Sequence, residues 1–304
     1  MTKVAVIAHA GKSFDGGLPQ LRRELEHQDA GVDDPLWVEV AKSRFAPKQV
    51  ERLVEEGAEL LFVWGGDGMV QRSIDALAGS ETALAIVPAG TANLLATNLG
   101  IPRNIEQAVS IGLRGERRKL DVGRFNGERF AVMAGAGFDA SMIQEADGGL
   151  KDRLGRVAYV WTGSRNLRAK PFYAKIAVDG VRWYAGAASC ILVGNVGRLF
   201  GGIEVFGDAR PDDGRLEIGV VKADGVVDWV RTLARTAVGH AERSPLVQAT
   251  SATEVKVKLD RKVLYEVDGS DREKVKSFTI KVQPAAITIC TPTDERRHDV
   301  NGSA

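Results

Sequence analysis

Residues 59–68 of the chain read Glu59-Leu60-Leu61-Phe62-Val63-Trp64-Gly65-Gly66-Asp67-Gly68. The apolar run is typical of a buried strand, and it ends abruptly at the glycines. A helical pattern follows at once, with Val70, Ile74 and Leu77 on one face. Glycine lets a main chain approach phosphate closely, and the first N–H groups of a helix point at the anion. The segment therefore predicts a phosphate site, where the Asp67 carboxylate could serve a metal-bound nucleotide or accept a proton.

The alternation of strand and helix continues on both sides of this segment. Strands are predicted at Lys3–Ala8, Leu36–Val40, Leu60–Trp64 and Ala83–Val87. The last one runs into a second turn, Pro88-Ala89-Gly90-Thr91-Ala92-Asn93. Such alternation predicts a parallel sheet with helices on both faces, and ligands of such sheets bind outside the carboxyl ends of the strands. Both turns fall at that edge, where Gly90 permits close approach and the Thr91 hydroxyl could donate to phosphate or cap a helix.

The character of the chain changes after Leu120. Alternating apolar and polar residues predict many short strands, among them Glu254–Leu259 and Val263–Val267. Asp179-Gly180 between two other strands indicates a hairpin. We therefore expect an α/β protein, with an N-terminal Rossmann-like three-layer domain around a parallel sheet and a C-terminal β-sandwich-like domain. The expected boundaries are residues 1–120, 121–292 and a polar tail at 293–304. The last strand could return to the first domain.

Composition excludes several classes of protein. The net charge of the 304-residue chain is +1, so no global field recruits nucleic acid. The longest apolar runs fall far short of the roughly 20 residues that a membrane span needs. Cys190 and Cys290 lie in apolar runs and are expected to be reduced core residues, which favours a cytoplasmic location.

Three further motifs leave alternatives open. Gly11-Lys12-Ser13 resembles the end of a P-loop but lacks its upstream glycine, so it is either a solvated turn or a loop that brings a lysine near phosphate. Asp213-Gly214 is either a simple turn or a site for a hard cation. Asp268-Gly269-Ser270 is either a hairpin turn or the position of a carboxylate that faces the nucleotide domain.

Taken in order, the motifs resemble the diacylglycerol kinase catalytic-domain family, in particular its bacterial lipid kinases that are not membrane-embedded. Sphingosine and ceramide kinases are relatives, and NAD kinases share the Gly-Gly-Asp-Gly loop. The resemblance spans about Lys3 to Pro292 and rests on the following blocks: Gly65-Gly66-Asp67-Gly68, Gly90-Thr91-Ala92-Asn93, Leu120-Asp121-Val122-Gly123, Gly135-Ala136-Gly137-Phe138-Asp139-Ala140, Gly194-Asn195, Gly201-Gly202 and Asp212-Asp213-Gly214.

The resemblance implies a site and a reaction, the ATP-dependent phosphorylation of a lipid hydroxyl. Asp67 would act through Mg²⁺ and its waters, and Asp121 would belong to the acidic network around that ion. A second, structural Mg²⁺ would be held by Asp213 and the carbonyls of Arg210 and Arg215. The residues implied to hold the ATP phosphates are Gly65, Gly66, Asp67, Gly68, Met69, Val70, Gln71, Gly90, Thr91 and Asn93.

The chain departs from the family pattern at three places. Met69 replaces a threonine, and Gln71-Arg72 replaces Asn-Glu, so a hydroxyl and a carboxylate are missing from the phosphate loop. Ser270 replaces the glutamate to which the family assigns proton acceptance. Asp268 or Asp67 could take that role, or the chain could bind nucleotide or lipid without catalysis. A kinase for a soluble acceptor such as NAD is a third reading.

The expected partner is a lipid substrate, diacylglycerol or a related lipid, at a membrane surface that the protein visits transiently. A basic stretch from Lys151 to Lys170 could meet anionic head groups, or it could be a solvated helix face. An exposed strand edge in the second domain could pair two chains into a homodimer. The motifs do not specify the lipid.

Overall fold

The computed structural model describes residues 2–28, 35–137, 171–198, 205–222 and 247–293. The chain divides into two compact units. The first unit comprises residues 1–122 and 284–304, and the second comprises residues 123–283. The predicted basic stretch, the Gly201-Gly202 block and the polar tail from residue 294 lie outside the described residues.

The first unit contains a parallel sheet. Its strands are β1 (Val4–His9), β2 (Leu36–Val40), β3 (Leu60–Gly65) and β4 (Ala83–Pro88). They lie in the order β4-β3-β1-β2, and every neighbouring pair is parallel. All residues of β3 and β4 are buried, which explains their uninterrupted apolar sequences.

Within the described part of this unit, five α-helices connect and cover the strands: α1 (Gly17–Gln28), α2 (Ala46–Glu55), α3 (Asp67–Leu77), α4 (Leu94–Asn98) and α5 (Ile105–Arg114). Helix α1 packs on α5, and α2 packs on α3. Gly112 lets α5 lie directly on the sheet, because a Cβ there would come within 2.9 Å of the Ala85 Cβ and would overlap the Phe62 ring. The predicted α/β fold class is confirmed.

The second unit is built from antiparallel strands. Two long strands have residues in both units: β5 (Glu116–Phe125) and β14 (Ser270–Thr291). The other strands are β6 (Glu128–Phe130), β7 (Met133–Ala136), β8 (Phe172–Val178), β9 (Val181–Ala188), β10 (Cys190–Gly194), β11 (Leu216–Val221), β12 (Val247–Ala252) and β13 (Glu254–Val267). One buried apolar core, which includes Phe125, Phe130, Ile191 and Val257, joins them into a sandwich-like unit.

Strand β13 corrects one expectation. The sequence suggested separate strands at Glu254–Leu259 and Val263–Val267, because charged residues lie between them. The structure has one continuous strand whose pairing with β14 shifts between Lys258 and Val263. Such irregularities let a strand bend, so the first half of β13 pairs with β8 and the second half with β7.

The C-terminal end of β14 belongs to the first unit. Thr288 and Ile289 pair in parallel with Ala83 and Leu84 of β4. Both cysteines are buried and free, as expected. In the part of the chain that the structure describes, no helix is long and apolar enough to cross a membrane.

Candidate functional site

The two glycine turns meet at one edge of the parallel sheet. Gly65 at the end of β3 pairs with Pro88 at the end of β4, so the turns that follow are neighbours. Gly66 and Gly90 then approach so closely that a Cβ on Gly66 would lie 3.0 Å from the Gly90 Cα. Neither position has room for a side chain. The sequence predicted both turns, and the structure brings them together.

The Asp67 carboxylate ties the two turns to each other. It accepts hydrogen bonds from the main-chain N–H groups of Asn93, at 2.9 Å, and Leu94, at 2.5 Å. Burial raises the pKa of the Asp67 carboxyl above its usual value of 3.8, and the hydrogen bonds from Leu94, Asn93 and its own N–H oppose that rise. Asp67 therefore braces the start of α4. The carboxylate can accept a further hydrogen bond, because its two oxygens together offer about four lone pairs.

Asn93 is a second brace in the same turn. Its side-chain Oδ1 accepts from the Gly90 N–H at 2.9 Å, and its Nδ2 donates to the Gly90 carbonyl at 2.9 Å. Its main chain is left-handed, with φ 49°, a conformation that asparagine tolerates better than most residues. The resemblance assigned Asn93 to cofactor binding, whereas the structure shows its amide shaping the loop that carries Gly90 and Thr91.

The first turn of α3 offers a main-chain surface for an anion. Met69 and Val70 both donate their N–H groups to the Gly66 carbonyl, at 2.9 and 3.2 Å. The N–H groups of Asp67 and Gly68 come before these first helical donors, so no earlier carbonyl of α3 can accept from them. The Asp67 N–H bonds its own carboxylate, which leaves the Gly68 N–H to face an anion. A Cβ on Gly68 would be no closer than 3.7 Å to its nearest neighbour, the Ser43 Oγ, so the surface beside Gly68 is open.

The side chains that follow Gly68 point into the protein. Met69, Val70 and Gln71 are all buried. Met69 packs directly against Gly65, because a Cβ on Gly65 would lie only 2.5 Å from the Met69 Cβ. Met69 therefore fills the space that Gly65 leaves. Thr91, in contrast, is exposed, and no hydrogen bond to its hydroxyl occurs among the described residues. The Thr91 hydroxyl is therefore accessible from solvent.

An aromatic pair that the sequence analysis did not identify holds the loop after β1. The Phe14 ring stacks on the Trp64 ring with centroids 5.1 Å apart, and Trp64 Nε1 donates to the Lys12 carbonyl at 3.1 Å. The Arg103 guanidinium lies 5.2 Å from the centre of the Phe14 ring. The Gly11-Lys12-Ser13 loop is thus fixed to the end of β3. No sequence signal links Phe14 to Trp64, because they are far apart along the chain.

Asp121 lies in the first unit and contacts a different segment from Asp67. Its side chain is buried, and its Oδ1 accepts from the Ala285 N–H at 2.8 Å. Ala285 is left-handed, with φ 49°, a conformation that costs energy for a residue with a Cβ. The hydrogen bond from its N–H helps to hold it there.

Asp268 binds main-chain groups of the second unit. Its carboxylate accepts from three consecutive main-chain N–H groups, those of Ala131, Val132 and Met133, at 2.9, 3.0 and 2.9 Å. Its own N–H donates to the Met133 carbonyl at 2.8 Å. The residue is 3% exposed. This geometry gives the carboxylate a structural task.

Asp213 forms a local turn. Its Oδ1 accepts from the Arg215 N–H at 2.9 Å, and the following Gly214 is left-handed, with φ 74°. The Arg215 guanidinium bonds Ser251. The described residues contain no group of three or more His, Cys, Asp or Glu side chains that could hold a metal ion. A cation at this turn would have to take most of its ligands from main-chain carbonyls, as the resemblance implies.

Comparison with known proteins gives this geometry a context. The sequence model described as "Diacylglycerol kinase catalytic domain" matches residues 9–125. The model described as "YegS C-terminal NAD kinase beta sandwich-like domain" matches residues 132–291. The chain belongs to the diacylglycerol kinase family. The resemblance inferred from the motifs is confirmed, and both glycine turns of the site lie inside the first matched region.

Individual relatives agree with the family assignment. A Klebsiella pneumoniae protein named "Probable lipid kinase YegS-like" is 28% identical over 91% of this chain and 92% of its own length. A Bacillus subtilis protein named "Diacylglycerol kinase" is 28% identical over 69% of this chain and 71% of its own length. The family is thus one of lipid kinases.

Solved structures share the fold. A diacylglycerol kinase from Bacillus anthracis has a TM-score of 0.75 at 24% identity, covering 95% of this chain and 96% of that one. An NAD kinase from Archaeoglobus fulgidus, solved with ATP, has a TM-score of 0.54 at 13% identity, covering 99% and 98%. These identities support a common fold only.

Proposed function

We propose that the protein is an ATP-dependent lipid kinase that phosphorylates a hydroxyl of diacylglycerol or a related lipid. The observation that carries the proposal is the close approach of Gly66 and Gly90 at the ends of two neighbouring parallel strands. That approach creates a main-chain surface without side chains at the edge where α/β sheets bind ligands. Family membership makes ATP the expected donor and a lipid the expected acceptor.

The chain's own groups would act mainly by positioning. The N–H group of Gly68 and the Thr91 hydroxyl would bind phosphate oxygens, and Asn93 would keep the loop around Gly90 in shape. In phosphoryl transfer the acceptor oxygen attacks the γ-phosphorus, the bond to the bridging oxygen breaks, and ADP leaves. Placing these atoms in line and neutralising their charge account for most of the catalysis.

Mg²⁺ fits this site through water rather than through direct bonds. Both oxygens of Asp67 already accept main-chain hydrogen bonds, yet the carboxylate keeps a lone pair for a water molecule of the ion. Asp121 supplies a second buried carboxylate in the same unit. When bound with ATP, the ion would neutralise phosphate charge. The turn at Arg210, Asp213 and Arg215 is proposed as a separate structural Mg²⁺ site.

The state of Asp268 favours a second candidate, a nucleotide-binding relative without phosphoryl transfer. Three N–H groups occupy the Asp268 carboxylate, and Ser270 lacks a carboxylate, so neither residue provides an evident base. A kinase would then rely on Asp67, whose raised pKa makes it a better proton acceptor than an ordinary aspartate. The two candidates make different predictions for labelled ATP.

The experiment is an acceptor screen with γ-labelled ATP and Mg²⁺. Diacylglycerol, monoacylglycerol, sphingosine and ceramide are presented in mixed micelles, and NAD serves as the water-soluble acceptor. The proposal predicts label in the lipid extract, and only when a lipid is present. Label in NAD would contradict it. ATP binding without any labelled product would contradict it as well and would favour the second candidate.

A further inference from the structure

One face of the sheet formed by β9, β8, β13 and β14 carries a cluster of lysines. Residues of β8 and β13 alternate between buried and exposed, so Ile176 and Val257 enter the core while their neighbours face outward. We call the outward group the lysine face. It consists of Tyr173, Lys175, Lys256, Lys258 and Lys281, all of which are exposed.

The strand register places two of these lysines directly opposite each other. Lys258 of β13 pairs with Lys175 of β8. Like charges in directly opposed positions destabilise a sheet. Lys256 and Lys281 are each bonded to Glu254, at 3.2 and 2.9 Å, but no acidic group pairs with Lys175 or Lys258 in the described ranges. The stability of the sheet therefore gives no reason for this pair.

The surroundings of the pair are small or aromatic. Ala185 of the edge strand β9 lies opposite Lys175, and Ala187 lies opposite Tyr173. The Tyr173 side chain is 45% exposed. Two acidic residues border the lysine face, Glu254 and, near its end, Asp260. Lysines beside an exposed tyrosine match the interface of a bilayer, where lysine heads meet phosphates and tyrosine rings sit at head-group level.

We propose that the lysine face docks the protein on an anionic lipid surface. This proposal rests on the proposed function, because the acceptor of a lipid kinase lies in a membrane. The net charge of +1 supplies no long-range attraction, so a local cluster must do so. Lys175 and Lys258 carry most of the effect, since no carboxylate among the described residues forms an ion pair with either of them.

The test is sedimentation with vesicles of phosphatidylcholine alone or mixed with phosphatidylglycerol. Each lysine near an anionic surface strengthens partitioning about fivefold, so Lys175→Gln with Lys258→Gln should weaken binding to the mixed vesicles ~25-fold. The matched control is Lys48→Gln with Lys119→Gln, which removes the same charge from exposed positions in the first unit. The control should bind as the wild type does. The melting temperature should not fall in the first variant, because a repulsive pair is removed.

Three outcomes would overturn the proposal. In the first, the wild type and the lysine variant bind the mixed vesicles equally well. In the second, the wild type does not prefer anionic vesicles to phosphatidylcholine vesicles. In the third, the protein binds RNA through these lysines and does not bind vesicles. Activity on a short-chain, water-soluble diacylglycerol separates this proposal from the proposed function. The variant should retain wild-type turnover on that substrate. If the wild type phosphorylates no lipid yet binds vesicles through these lysines, the proposed kinase function is wrong, but the docking role of the lysine face is supported.

Discussion

Gly66 and Gly90 face each other so closely that a Cβ on Gly66 would lie 3.0 Å from the Gly90 Cα, and a Cβ on Gly90 would lie closer still. The obstructing atoms belong to main chain and cannot rotate away. We expect Gly66→Ala and Gly90→Ala to destabilise the fold by about 1–3 kcal/mol, the usual range for overpacking. Urea denaturation without nucleotide measures this. If both variants were as stable as the wild type, the two turns could move apart without any loss in the free energy of unfolding.

Asp67 is expected to contribute to stability before any nucleotide binds. Asp67→Ala removes the acceptor for the Asn93 and Leu94 N–H groups, so we expect a loss of about 1–2 kcal/mol in the free energy of unfolding. Urea denaturation of the nucleotide-free protein checks this. An unchanged midpoint would mean that water replaces the carboxylate fully. Asp67→Ala could also abolish ATP binding by distorting the turn at Asn93 and Leu94. A loss of ATP binding in this variant would therefore not by itself show where the nucleotide binds.

Asp268 is expected to behave as a structural residue rather than as a base. In Asp268→Asn an amide NH₂ would replace one carboxylate oxygen and face an N–H donor, so we expect a loss of about 3 kcal/mol. The exposed neighbour Asp271 provides the control Asp271→Asn, which should unfold as the wild type does. The opposite pattern, wild-type stability with lost phosphoryl transfer in Asp268→Asn, would identify Asp268 as the proton acceptor.

Asp179 should make stability depend on pH. The Thr253 hydroxyl lowers the pKa of the Asp179 carboxyl below its usual 3.8, with help from the Glu254 and Thr253 N–H groups and from Arg215. Such a group stabilises the fold above its unfolded pKa, and the contribution disappears as pH falls through the lower, folded pKa. The wild type should therefore exceed Asp179→Asn in stability at neutral pH, and the gap should close below pH 3.8. Unfolding measured across that range tests this, and a constant gap would contradict it.

The glycine turns could be predicted from the sequence because their signals are local. An apolar strand, the glycines and a helical pattern stand next to one another around Gly65, and the same holds around Gly90. Parallel strands then bring both turns to one edge. The two-unit α/β and β-sandwich-like organisation could be predicted for the same reason, since alternation and periodicity are read within short windows.

The bracing contacts could not be predicted, because their partners are distant in sequence. The Asp67 carboxylate meets Asn93, 26 residues away, and the Asp268 carboxylate meets Met133, 135 residues away. An aspartate beside glycine looks the same whether it serves a ligand or a main-chain N–H. The continuity of β13 was also missed, because the charged segment at Asp260 resembles a turn although the strand bends through it.

Mg-ATP calorimetry of wild type and Gly68→Ala tests the central claim most directly, namely that these turns hold nucleotide phosphate. Gly68 has no neighbour within 3.7 Å of a Cβ, and alanine favours a helix, so the variant should be at least as stable as the wild type. Its methyl group would occupy the surface that phosphate must approach. We predict saturable binding by the wild type and binding about tenfold weaker, or ~1.4 kcal/mol, in the variant. Equal affinity in the two proteins, or no binding by the wild type, would contradict the account.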